Sequence, residues 1–132
     1  MTPLLMVALI TSAYPDMAAT PVDRMFRAFS DPTRLRIVHL LREREMCVGD
    51  LVSVLHVPQA TTSRHLAYLK RAGLITSRKN SYWTYYTLAA AKTSFHRKLI
   101  ECVDTCFRDV PALARDKATA ERLRAAGGCC PR

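Results

Sequence analysis

The chain has 132 residues, within the usual span of one domain, so a single core with terminal extensions is expected rather than two cores. Hydrophobic residues make up 49% and charged residues 23%, an ordinary globular balance that excludes a disordered or fibrous chain. Twenty Lys and Arg stand against 11 acidic residues for a net charge of +9, which suits a polyanionic partner because basic side chains displace the counterions condensed on nucleic acid.

The chain opens on an apolar run from Pro3 to Ile10 with no Lys or Arg ahead of it. That run is too short to span a bilayer and lacks the charged start of an export signal. Residues 1–19 are therefore read as an N-terminal arm, or as the product of an upstream start with Met17 as the true beginning. A cytoplasmic protein without membrane contact is expected. Ser12-Ala13 resembles a cleavage site, so export stands as the alternative.

Val22, Met25, Phe26 and Phe29 recur at helical spacing, which predicts an amphipathic helix from about Pro21. Ser30 and Asp31 are capping residues, and Pro32 suits the first turn of a second helix reaching about Glu43. Its inner face carries Leu35, Ile37, Val38, Leu40 and Leu41, and its outer face carries Arg34, Arg36 and Arg42. A third, short helix starts near Asp50 and is broken at Val57-Pro58. A fourth runs from Gln59 to Arg71 and stops at Gly73, a left-handed helix terminator. Short helix, break, helix: the order is that of a helix-turn-helix.

After Gly73 the period becomes extended. Leu74–Arg78 and Tyr82–Leu88 are rich in Thr, Tyr, Trp and Ile and predict two strands, with Lys79-Asn80-Ser81 as the hairpin turn. A fifth helix is expected over Lys92–Asp109, and Pro111 opens a sixth that ends before Gly127-Gly128. The fold class is mainly α with a small β-hairpin wing, a dimeric winged helix-turn-helix. Residues 20–110 form the DNA-binding and dimerisation domain, and residues 111–132 a C-terminal helix with a Cys-Cys tail. No phosphate-binding glycine loop, nucleophile with a base, or paired carboxylates are present in the sequence, so no catalytic residue is assigned and an enzyme is not expected.

At 100° per residue, Thr62, Leu66 and Leu69 of the fourth helix face inward, while Thr61, Arg64, Tyr68 and Arg71 face out. Gln59, Thr61 and Arg64 near the helix start suit base edges, since Gln pairs with adenine and Arg with guanine. Thr62, Ser63, His65 and Tyr68 complete the candidate DNA surface, with Arg78 and Lys79 of the wing on the backbone or an adjacent minor groove.

Three segments together carry a family resemblance: Phe29-Ser30-Asp31-Pro32-Thr33-Arg34-Leu35-Arg36-Ile37, then Cys47-Val48-Gly49-Asp50-Leu51, then Ser63-Arg64-His65-Leu66-Ala67-Tyr68-Leu69-Lys70-Arg71-Ala72-Gly73-Leu74. Over roughly residues 20 to 90 the chain resembles the ArsR/SmtB family of bacterial metal-sensing repressors. The wing, from Arg78-Lys79 through Trp83 and Tyr86, is similar to the arsenic-responsive branch. The resemblance implies a homodimer that blocks a promoter at a palindromic duplex operator and leaves it when an inducer binds. It departs at one place. Arsenic sensors of the best-known type carry Cys-Val-Cys-Asp-Leu at the third helix with another cysteine soon after, whereas this chain keeps Cys47 but has Gly49 and Val52.

Four other cysteines are candidates for the inducer. Cys102 and Cys106 lie one helical turn apart, and Cys129-Cys130 follow a Gly-Gly pair. As(III), which favours three sulfurs, would use three of these four; Zn(II) would use all four, and Sb(III) is the close alternative to As(III). Cys47 ranks behind them as a metal ligand. Phe95, Leu99, Cys102, Cys106 and Val110 form one stripe, which the resemblance makes the dimer seam, so packing competes with ligation for Cys102 and Cys106. His96 is expected at the surface or interface, because Ser94, Phe107 and Val110 stand where zinc-sensing relatives place ligands. His39, His56 and His65 have no ligand spacing, and Trp83, Tyr85 and Tyr86 are read as wing packing. The expectation is a repressor released by trivalent arsenic. The alternatives are a redox- or sulfide-responsive repressor, with Cys47 and Cys106 as one pairing, a Zn-responsive one, and an architectural or partner-binding protein with no effector.

Overall fold

The structure, a computed structural model, describes residues 21–128. These residues form, in order, α1 (Pro21–Phe29), α2 (Pro32–Glu43), β1 (Met46–Cys47), α3 (Val48–Leu55), α4 (Gln59–Arg71), β2 (Ile75–Asn80), β3 (Trp83–Leu88), α5 (Ser94–Cys106) and α6 (Pro111–Ala125). Helices α3 and α4 are the helix-turn-helix, and β2–β3 is the wing. Cys129 and Cys130 lie outside the described residues, as do residues 1–19. Among the described residues no helix is long and apolar enough to cross a membrane.

Local chemistry sets the element ends. The Asp31 carboxylate accepts the Arg34 N–H at 3.0 Å and Pro32 occupies the first turn, so α2 starts capped. His56 takes a left-handed backbone, φ 56°, and closes α3. Gly73 does the same for α4 at φ 80°, where a side chain would be strained. The Thr93 hydroxyl accepts the His96 N–H at 3.0 Å, which begins α5 at Ser94 rather than Lys92. That helix also stops at Cys106 instead of Asp109, because Pro111 opens α6 only a few residues on.

The core is continuous across these elements. Ile37 and Leu41 of α2, Leu51 of α3, Leu66 and Leu69 of α4, and Leu74 and Ile75 leading into the wing are almost wholly excluded from solvent. The α2 arginines, expected on an open face, are instead structural. Arg34 donates to the Ala28 and Arg27 carbonyls at 2.9 and 3.0 Å, fastening α1 to α2. Arg36 makes a forked bond to Asp116 of α6 at 2.7 and 2.8 Å, and Asp116 is buried. That carboxylate raises the Arg36 pKa above its ordinary value, chiefly through the hydrogen bond. Arg42 pairs with Glu43 and with Asp104 of α5.

The sheet has three strands in the order β1-β3-β2, all antiparallel, whereas the sequence suggested only a hairpin. Met46 pairs with Tyr86 and Cys47 with Tyr85, so the wing is anchored to the root of α3. The hairpin turn also falls later than expected. Asn80 pairs with Trp83, which leaves Ser81, at φ 60°, and Tyr82 as the turn.

Candidate nucleic-acid interface

Helix α4 buries Thr62, Leu66 and Leu69, and this turns its other side outward. Gln59, Ser63, Arg64 and Arg71 are exposed, and Thr61 is half-buried. Arg64 Nη2 donates to Thr61 Oγ1 at 3.3 Å, which groups the hydroxyl and the guanidinium near the helix start. Such a cluster can donate to phosphate or guanine and accept from adenine.

One of the expected contacts, Thr62, is reassigned, and two others, Tyr68 and His65, have partners within the protein. Thr62 is fully buried and donates to the Val57 carbonyl at 3.3 Å, so it fixes the turn between α3 and α4 and has no path to a base. Tyr68 is half-buried with the Arg34 guanidinium 4.1 Å above its ring and that of Arg71 at 6.0 Å, so the ring orders two cations. His65 is half-buried, with Nδ1 3.9 Å from the Asp31 carboxylate that caps α2.

The wing carries the second half of the surface. Lys79 is exposed, and Tyr82 at the turn is 98% exposed, a tip residue that only the true position of the turn reveals. Arg78 is exposed but already partnered. It donates to both Glu45 oxygens, at 2.8 and 2.6 Å, and its guanidinium lies 4.5 Å from the Tyr85 ring centre. The hydrogen bond to Glu45 is the main cause that raises its pKa. Lys70 of α4 donates to Ser77 of β2 at 2.8 Å, which fixes the wing's angle to the reading helix. Between the two, a cleft of about 270 Å³ is lined by Cys47, Gly49, Gln59 and Trp83 among others.

The thiols sit on other surfaces. Cys102 is half-buried and Cys106 exposed, one turn apart on α5, and both are free. The neighbouring Cys106 thiol, followed by desolvation, raises the Cys102 pKa. They share a face with Phe95, against which Phe26 packs at 5.2 Å while staying 57% exposed. Cys47 is buried and disulfide-bonded, and its sulfur accepts the Asp50 N–H at 3.5 Å as the cap of α3. The pairing of Cys47 with Cys106 is therefore not formed. Among the described residues no group of three or more His, Cys, Asp or Glu could hold a metal ion. His96, expected at the surface or interface, is buried within the chain at 2% exposure with Nε2 unpartnered, and burial, followed by the charge of Lys92, lowers its pKa.

Residues 31–77, the span from the α2 cap to the middle of the first wing strand, match the family described as bacterial regulatory protein, arsR family. The chain is 38% identical over 97 residues to the arsenical resistance operon repressor of Escherichia coli (strain K12), covering 72% of this chain and 83% of that protein. It is 40% identical over 72 residues to the cadmium resistance transcriptional regulatory protein CadC of Listeria innocua, covering 54% and 60%. Among solved structures, HlyU from Vibrio cholerae N16961 matches with a TM-score of 0.59 at 31% identity, over 66% of this chain and 91% of that one. Family and relatives are DNA-binding transcriptional regulators, not enzymes. With its helix-turn-helix, its three-stranded wing and its relatives agreeing, the chain belongs to the arsR family of bacterial transcriptional regulators.

Proposed function

We propose that the chain is a homodimeric repressor that leaves a palindromic operator when trivalent arsenic binds its thiols. The observation that carries this reading is the pair of free thiols, Cys102 and Cys106, one turn apart on α5. Phe95, on the same face, packs on the exposed Phe26 of α1, an apolar surface that suits burial against a second copy of the chain. Two copies would set their reading helices about 34 Å apart, one turn of duplex.

The pair offers two of the three sulfurs that pyramidal As(III) takes. Cys129 or Cys130, or a thiol of the second copy, supplies the third. Each arsenic–sulfur bond formed on arsenite releases one water, the thiol proton leaving with the hydroxide of the acid. Because the pair lies on the seam, a dimer geometry that suits arsenic and one that suits DNA exclude each other, and linkage lowers DNA affinity.

The test is anisotropy of a labelled fragment from the protein's own promoter, with reduced protein and added arsenite. Release at sub-millimolar arsenite is expected, with the Cys102→Ser plus Cys106→Ser protein retained on DNA. Equal release of that variant would move the site elsewhere, and no release of the wild type would end the arsenic reading. Antimonite and Zn(II) serve as parallel arms. A redox reading is favoured by one observation, the disulfide at Cys47. Release on oxidation, reversed by dithiothreitol and indifferent to arsenite, would select it.

A further inference from the structure

A cavity of about 390 Å³ is lined by residues of α2, α5, α6 and the segment joining α5 to α6. Its wall brings together Arg42 and His39 of α2, Lys117 of α6, and Arg108, which follows α5. Asp104 is the wall's carboxylate, and Phe107 and Ala114 are its apolar part. We propose that this cavity binds a small phosphate ester, its phosphate on the cationic wall and its carbon part against Phe107 and Ala114.

The cavity wall holds polar groups without partners. His39 is only 8% exposed, yet its Nδ1 is buried without a hydrogen-bond partner, and the same holds for Arg42 Nε. Both nitrogens are closed to solvent as the wall stands, so a ligand reaches them only if the wall shifts, and the open donors carry the site. The acids nearby are already engaged. Asp104 holds Arg42 Nη1 at 2.9 Å, while Glu43 holds Arg42 Nη2 and lies 3.5 Å from Lys117 Nζ. Arg108 spends only its Nε, on the Asp104 carbonyl at 3.3 Å. Three cations thus face two carboxylates, and the donors open to a ligand are the forked end of Arg108 and Lys117 Nζ.

A tetrahedral dianion with several acceptor oxygens matches that set better than a planar carboxylate does, and fork-shaped guanidinium groups favour it. Burial, followed by the charge of Arg42, lowers the His39 pKa, and a neutral imidazole still donates from the nitrogen that carries its proton. A bare oxyanion would leave most of 390 Å³ empty, which is why the ligand is an ester rather than the free ion. A metal is not indicated, since the wall holds one His and one carboxylate. A bound ester would tie α5 and α6 to α2 by contacts that involve no thiol.

The test uses the full, reduced protein at constant ionic strength. Glycerol 3-phosphate, inorganic phosphate, sulfate and glycerol are compared by isothermal titration and by melting temperature. The expected result is saturable binding of glycerol 3-phosphate, about tenfold tighter than inorganic phosphate, with a rising melting temperature. Arg108→Gln combined with Lys117→Gln, both on exposed residues, should weaken it by about tenfold or more while the ligand-free melting temperature holds. Unchanged binding in that variant, equal affinity for phosphate and ester, or no saturation in the millimolar range would overturn the proposal.

Discussion

In the free protein the Arg78 guanidinium is clasped by both oxygens of Glu45 while resting over Tyr85, so a DNA phosphate must compete for it. Glu45 also places a negative charge beside the surface that approaches the duplex. Glu45→Gln is therefore expected to tighten binding to duplex DNA severalfold and to steepen the salt dependence by about one phosphate contact. Anisotropy across a salt series, repeated with Arg78→Gln added, checks this: the second change should cancel the gain. Weaker binding by Glu45→Gln would instead make Glu45 a support that aims Arg78. The ion pair joins residues 33 apart in sequence, and the Arg36–Asp116 pair joins residues 80 apart. Local pattern cannot show either. It does show which α4 residues turn inward, because Leu66 and Leu69 obey a fixed angle per residue. Thr62 obeys the same angle, and its hydroxyl is no guide to a role in reading DNA.

At the scale of the elements, proline and glycine made α3 and α4 legible, since each removes conformations rather than adding contacts. Gly73 stops α4 at φ 80°, with its N–H donating to the Lys70 carbonyl at 3.1 Å, while the Leu74 N–H reaches the Leu69 carbonyl at 3.1 Å. A Cβ there would meet nothing within 4 Å, so Gly73→Ala tests the backbone alone. A loss of about 1–2 kcal/mol is expected in urea unfolding; no loss would mean that α4 ends for another reason. Strand β1 escaped notice because two residues, Met46 and Cys47, are too few to have a period. The wing turn was misplaced because Asn80 favours turns by composition yet pairs with Trp83 in the ladder. The limits of α5 depended on Thr93, a cap that looks like any other loop threonine.

For the whole molecule, α6 packs on α2 and α3 and is held by the buried Arg36–Asp116 fork, so the C-terminal helix shares the core of the reading head. Two buried histidines give this core a pH dependence. Burial lowers the pKa of both His39 and His96 from about 6.5, so the unfolded chain binds protons that the folded one refuses. Their contribution is complete above about pH 6.5 and is lost as pH falls below that value. Melting temperatures at pH 7.5 and 5.5 should diverge for the wild type and draw closer in His96→Phe. An equal difference in both proteins would remove His96 from the account. The sequence showed the helices and the reading face, but not which histidines would be enclosed, since enclosure needs α5 and α6 in place.

Trp83 stands at the border between the wing and the cleft beside Gln59, 38% exposed, and it is the one tryptophan of the chain. Its indole is thus an intrinsic optical gauge at the edge of the proposed duplex interface. A phosphate strand settling on the wing would dry one side of the ring and shift its emission, whereas a ligand seated between α2, α5 and α6 would leave the colour nearly unchanged. The protein carries its own lamp for telling the two events apart.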